Sequence, residues 1–320
     1  PINIGGRVTD IEIPIDDDDT YYVGTASGGI FKTEDAGSTF NPIFDEQEML
    51  SIGDIAISRN NTQTIWVGTG EVNAGGGSLA YDGDGVYAST DGGISWESKG
   101  LENVGSIGKI MIDPNNENVI LVGAMGPLFR DDTNRGVYKT TDGGITWIEV
   151  PITPAGPGTL SAGQTDLFTA GIFFINDVIV WDNNGSSEIY VGVGSANYAT
   201  PNFNISNPNN ILGAQNAGLY RSVDDGVNWS RIENTSMEYS FGGQTFYIAP
   251  NDFEISADNN LYMGSIAVPG TNAGGGRLYK SIDGSNWTLQ SIISGADRVE
   301  IAASSTNPRP SKLSASTKDM

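Results

Sequence analysis

Short apolar runs of four to six residues recur along the chain, and each is closed by a cluster of Asn, Asp, Gly or Ser. Alternating runs bounded in this way predict β-strands, and no long segment carries a helical period. Runs at 8–13, 52–57, 107–112, 178–181 and either 246–249 or 253–255 open five successive units. In each unit a second run follows a polar turn, at 21–25, 65–69, 119–124, 189–193 and 261–265. A third run then leads into a glycine-rich octapeptide, and a fourth starts at the aromatic residue closing it.

That octapeptide is the clearest internal repeat. It reads Thr33-Glu34-Asp35-Ala36-Gly37-Ser38-Thr39-Phe40, and then Ser89-Thr90-Asp91-Gly92-Gly93-Ile94-Ser95-Trp96. It returns as Thr140-Thr141-Asp142-Gly143-Gly144-Ile145-Thr146-Trp147 and as Ser222-Val223-Asp224-Asp225-Gly226-Val227-Asn228-Trp229. A fifth copy, Ser281-Ile282-Asp283-Gly284-Ser285-Asn286-Trp287, is one residue shorter. The chemistry is that of a hairpin turn. The aspartate accepts hydrogen bonds from the turn's own N–H groups, glycine supplies a positive φ, and the aromatic packs beneath. The repeat length suits one four-stranded propeller blade. The expected fold is therefore all-β: a β-propeller of four-stranded antiparallel blades with Asp-box turns, five complete and a sixth begun. The blades fall near 6–45, 46–100, 101–151, 172–233 and 244–293, with a partial one at 297–303. Residues 1–303 then form one domain, and 304–320 a tail or a truncated blade.

The repeat resembles the Asp-box, or bacterial neuraminidase repeat, of sialidases, sortilin-type propellers and two-propeller xyloglucan hydrolases. Ser51-Ile52-Gly53-Asp54-Ile55-Ala56-Ile57, Ile65-Trp66-Val67-Gly68-Thr69-Gly70-Glu71 and Gly83-Asp84-Gly85-Val86-Tyr87 are similar to a bacterial sortilin-like group labelled glycosyl hydrolase. The resemblance implies the fold, whereas enzymes and receptors share the motif. In xyloglucan hydrolases the first blade carries Thr-Asp-Val-Gly-Gly with a catalytic Asp. The matching run here is Thr25-Ala26-Ser27-Gly28-Gly29, with alanine in the acid's place. The sialidase Arg-Ile-Pro signature is missing too, since Arg7 is followed by Val8-Thr9.

Composition narrows the chemistry further. The chain has 39 Asp and Glu against 16 Lys and Arg, a net charge of −23, which disfavours nucleic acid and anionic membranes. It has no Cys and no His, so disulfides, thiolate chemistry and Ser-His-Asp catalysis are excluded. Carboxylates, Tyr, Lys and Arg remain. No apolar run is long enough to span a bilayer, so no membrane insertion is expected. A first residue of Pro1 fits a mature product after signal-peptide removal, hence a secreted or bacterial cell-surface protein.

Long loops on a rigid scaffold are where function gathers. The expected loops are 70–84, 125–135, 151–171, 194–217, 233–244 and 266–276, on the face opposite the Asp-box turns. They supply ligand candidates Glu71, Tyr81, Arg130, Arg135, Asp166, Tyr198, Phe203 and Tyr239, whose aromatics and charges suit sugar rings and hydroxyls. Asp82 and Asp84 are a calcium candidate; no cofactor is required. Asp35, Asp91, Asp142, Asp224 and Asp283 are read as structural turn-formers. The expected function is a binding module for a glycan or protein ligand, within a longer parent chain carrying further domains. The alternative is a glycoside hydrolase with a carboxylate pair on the loop face.

Overall fold

A computed structural model describes residues 7–71, 81–126, 134, 136–150, 152, 172–196, 217–268, 273–303 and 314–316. The chain divides into two compact units, Pro1–Val150 and Pro151–Met320. In the first, three sheets follow one another. They are β1 (Val8–Glu12), β2 (Tyr21–Thr25), β3 (Ile30–Thr33) and β4 (Asn41–Pro42); then β5 (Ile52–Ile57), β6 (Ile65–Thr69), β7 (Val86–Ser89) and β8 (Glu97–Ser98). The third is β9 (Ser106–Ile112), β10 (Ile120–Gly126), β11 (Gly136–Thr140) and β12 (Ile148–Val150). The second unit holds β13 (Ile172–Asn183), β14 (Ser186–Ala196), β15 (Gly218–Ser222) and β16 (Ser230–Arg231). A hairpin of β17 (Glu238–Phe241) and β18 (Gln244–Tyr247) comes next. The fifth sheet follows: β19 (Ala249–Ile255), β20 (Leu261–Ile266), β21 (Arg277–Ser281) and β22 (Trp287–Ile292). A pair, β23 (Glu300–Ala302) and β24 (Ser314–Ser316), ends the described chain. Each four-stranded sheet is an antiparallel meander in chain order, so the blades predicted from the repeats are present.

The turn between third and fourth strands is built as the sequence predicts. Asp142 Oδ1 accepts the N–H groups of Ile145 (3.0 Å) and Thr146 (2.9 Å), and its Oδ2 accepts the Thr146 hydroxyl (2.6 Å). Gly143 and Gly144 take φ of 70° and 82°, which a Cβ would resist. These bonds, the Thr146 hydroxyl first, hold Asp142 at a pKa of about 2; Asp91 is held there equally, the Ser95 hydroxyl first. Asp35, Asp224 and Asp283 repeat the pattern. The aromatic residues behave in two ways. Trp96 and Trp147 donate to Ile43 O and Lys99 O, past the fourth strand of the blade before. Trp229 and Trp287 instead donate to Gly226 O and Gly284 O of their own turns.

A second repeat joins the blades. In the first strand of four blades an aspartate follows a β-bulge and pairs with a second-strand glycine: Asp10 with Gly24, Asp54 with Gly68, Asp177 with Gly192, Asp252 with Gly264. Each carboxylate reaches the first strand of the following blade. Asp10 accepts from Ile55 N–H (2.9 Å), Asp54 from Ile110 N–H (2.9 Å), Asp177 from Phe253 N–H (2.6 Å) and Asp252 from Ile301 N–H. Ile301 thus donates its N–H as the first strand of a sixth blade would. In blade three Lys109 holds the aspartate's position, opposite Gly123, and its Nζ lies 3.4 Å from Asp54 Oδ1.

Burial raises the Asp54 pKa well above the usual carboxylate range, and nearby Asp10 adds to this, while Lys109 opposes it. Asp10 is raised for the same first cause. A carboxyl whose folded-state pKa is raised takes up a proton before the unfolded chain does. Stability therefore increases as pH falls from that raised value toward 3.8, the ordinary aspartate value. The turn aspartates act oppositely, losing their contribution as pH falls from 3.8 through about 2. Urea midpoints measured from pH 7 to pH 2 are expected to rise and then fall. Asp54→Asn, which keeps an acceptor for Ile110, is expected to flatten the rise; an unaltered slope would refute the assignment.

Candidate functional site

First strands begin, and second strands end, on the loop face. In the first unit this brings Arg7, Ala26, Ser51, Glu71, Tyr81 and Ser106 into one bonded patch. Ala26 N–H donates to Arg7 O (3.0 Å), Gly70 N–H to Ser51 O (2.8 Å), and Glu71 N–H to Tyr81 O (3.0 Å). The Ser106 hydroxyl also donates to Tyr81 O (3.4 Å). Gly70 is required here, because its φ is 91° and a Cβ would meet Gly83 N at 2.5 Å and Ser106 Cα at 2.7 Å. The turn brings the Glu71 N–H onto the Tyr81 carbonyl.

Glu71 is wholly buried, and its Oε2 is paired with the Arg7 guanidinium. Its Oε1 and the Ser51 hydroxyl are buried with no hydrogen-bond partner among the described residues. A buried carboxylate oxygen is costly to leave without a donor. Arg7 is 43% exposed and Tyr81 is 52% exposed. The patch therefore offers an aromatic face, a cation and an anchored acid together. Ala26 contributes only a buried methyl group beside them.

Asp84 and Tyr239 are engaged elsewhere. Asp84 is committed to its own blade: Oδ1 accepts from Thr69 Oγ1 (3.1 Å) and Oδ2 from Tyr87 OH (2.8 Å). Burial, with the Asp84 bond added, pushes the Tyr87 pKa upward. Among the described residues no three acidic side chains converge as a metal site would require. Tyr239 needs a correction, because its loop is in fact the β17–β18 hairpin. Its ring is buried and stacked on Phe246 at 5.7 Å. Arg130, Arg135, Asp166, Tyr198 and Phe203 lie outside the described residues.

Two features escaped sequence reasoning. Arg7 was passed over because its partner stands 64 positions away. In the second unit, on the turn side, Glu188 accepts from Asn183 Nδ2 (2.9 Å), Tyr190 OH (2.6 Å), and Arg221 Nη2 (2.8 Å) and Nε (3.0 Å). Burial alone would push the Glu188 pKa up, but these bonds, Arg221 first, bring it below the usual range. Arg221 Nη1 also reaches Ser285 Oγ at 2.6 Å, so this cluster clamps blade four to blade five.

No family model matches the chain. It is 23% identical over 308 residues to a protein of Acetivibrio thermocellus named Xyloglucanase Xgh74A, covering 86% of this chain and 30% of that one. Among solved structures it resembles the GH74 enzyme of Niastella koreensis, with 21% identity and a TM-score of 0.56, covering 89% of this chain and 37% of that one. The fold is that of a β-propeller. PorZ of Porphyromonas gingivalis, a surface component of the type-IX secretion system, shares it at 16% identity and a TM-score of 0.50, over 90% of this chain and 34% of PorZ. The propeller chain spans less than a third of the length of its curated relative.

Proposed function

We propose that this propeller is the glycan-engaging part of a longer exported protein of glycoside-hydrolase ancestry, and that it holds a neutral polysaccharide on its loop face. The observation that carries this is that Tyr81 and Arg7, each about half exposed, share one bonded patch in which the buried Glu71 anchors the Arg7 guanidinium. Sugar rings stack on aromatic faces, and their hydroxyls bond carboxylates and guanidinium groups. A net charge of −23 selects against polyanionic glycans, and the xyloglucanase relatives point to a xylose-substituted β-glucan. The turn bonds support an Asp-box assignment. Binding of this kind requires no cofactor.

The names of the relatives favour hydrolysis as a second reading. Ala26 weighs against it for this chain alone, because glycoside hydrolysis ordinarily needs two carboxyl groups about 5–10 Å apart. The test is affinity electrophoresis in xyloglucan, run beside a reducing-sugar assay. Retardation is expected, weakened about tenfold by Tyr81→Ala with unchanged melting temperature, and no sugar should be released. Release abolished by Glu71→Gln would replace binding with hydrolysis. No retardation in xyloglucan or any other neutral polysaccharide would overturn the proposal.

A further inference from the structure

In the second unit, β13 and β14 are joined by two residues only, Asn184 and Gly185, across the pair Asn183 and Ser186. Both take positive φ, 54° and 89°, as the tightest hairpin turn requires and as Asn-Gly favours. This is the one Asn-Gly step in the chain. Both residues are exposed, and nothing stands within 4 Å of the place a Gly185 Cβ would take. The Gly185 N–H donates to Asp182 Oδ1 at 2.6 Å. Asp182 is itself anchored to blade five: its carbonyl accepts from Asn259 Nδ2 (2.9 Å), and the Trp181 indole beside it donates to Asn259 Oδ1 (3.0 Å).

Other turn asparagines of this unit are held differently. Asn228 and Asn286 give Nδ2 to the turn aspartates Asp224 (2.7 Å) and Asp283 (2.8 Å). Asn259 also has a positive φ, 58°, but both ends of its amide are tied to the β13 end by the bonds just given. Each of the three precedes a residue with a side chain, Trp229, Trp287 or Asn260, whose Cβ hinders approach to its own backbone nitrogen. Asn184 precedes glycine, and its Nδ2 donates to Asn183 Oδ1 (3.0 Å) on the same tip. An unhindered nucleophilic nitrogen, a neighbouring amide carbon and a carboxylate on the nitrogen's proton therefore meet at one turn.

We propose that Asn184 is a self-modification site, converted to isoaspartate and aspartate without an enzyme, with Asp182 as the base. The Gly185 nitrogen attacks Asn184 Cγ while its proton passes to Asp182, within the reach that proton transfer needs. The Cγ–Nδ2 bond then breaks, the proton goes to the departing nitrogen, and ammonia leaves behind a cyclic imide. Water adds to either imide carbonyl and opens the ring, so the net change is amide plus water to acid plus ammonia. Opening one way restores the backbone as aspartate; opening the other way threads the main chain through the former Cβ as isoaspartate. The second product adds a main-chain atom to a turn that two residues fill, and either product places a new negative charge beside Asp182.

The 320-residue chain is incubated folded at neutral pH, and peptide mass spectrometry follows the change from amide to acid at each asparagine, with isoaspartate read by enzymatic methylation. Asn184 is expected to change before Asn228, Asn259 and Asn286, and Asn184→Gln to abolish the product at that position. Asp182→Asn keeps an acceptor for the Gly185 N–H but removes the base, and is expected to slow the change about tenfold or more. Asp182→Glu, which keeps a carboxylate, should retain part of the rate. In concentrated urea the wild-type chain and Asp182→Asn should react alike, because the carboxylate is no longer placed. The proposal fails if Asn184 is no faster than the other three in the folded chain. An unchanged or faster rate in Asp182→Asn would overturn it too, since the Asp182 bond would then guard the turn rather than serve the reaction. A difference that persists in urea would trace the effect to sequence alone and overturn it equally.

Discussion

Gly53→Ala will cost the protein about 4 kcal/mol or more, enough to place it among the rare, diagnostic substitutions. Gly53 sits in the β5 bulge, where a Cβ would overlap the Ile107 carbonyl oxygen of the next blade and stand 2.6 Å from Gly70 O. Both obstacles are backbone, so neither can swing aside, and blades two and three must part to make room. Gly53 is not among the residues of positive φ, so the penalty is steric. Gly185→Ala is the matched control. Its φ of 89° carries strain, but nothing lies within 4 Å of an added Cβ, and a loss of about 1 kcal/mol is expected. Urea denaturation decides between them; equal losses would mean that the seam is looser than described.

Trp287→Ala is expected to lose about 3–5 kcal/mol, the usual cost of removing a large buried aromatic. The side chain is 2% exposed, lies edge-on to Tyr190 at 6.2 Å, and bonds Gly284 O through its indole nitrogen. Its backbone carbonyl accepts from Asn234 Nδ2 (3.0 Å) and Ser236 Oγ (3.2 Å), which join the segment after blade four to blade five. Truncation therefore opens a cavity in a seam. Trp147→Ala should cost less, because that ring is only half-buried, although its bond to Lys99 O at 2.6 Å is lost. A larger loss at Trp147 would reverse the assignment of which turn aromatic is core.

The strands were legible because the alternation of apolar and polar residues is strong where a blade face is buried. Strands 21–25, 52–57 and 65–69 have the bounds that the pattern gives. The start of blade five was not legible. Its first strand carries Pro250, Asn251 and Asp252 around a bulge, which hides the period, while the preceding hairpin around Gly242 and Gly243 reads as loop. Tyr239 was misplaced for that reason. Glu71 and Tyr81 could be picked out as polar and aromatic residues on a predicted loop, but their union with Arg7 depends on two blades meeting. The aspartate seams share that difficulty. Each is one acid at an irregular interval, and nothing local to it shows that its partner is a main-chain N–H in another repeat.

That choice of partner has an evolutionary consequence. Asp10, Asp54, Asp177 and Asp252 all grip main chain, so the receiving residue can be Ile55, Ile110, Phe253 or Ile301 without changing the bond. A connector with a specific plug and a generic socket allows a duplicated module to attach to its neighbour immediately, before either sequence has adapted. Copies can then drift apart in every side chain but the plug, and the array can gain or lose modules without a new interface being invented each time.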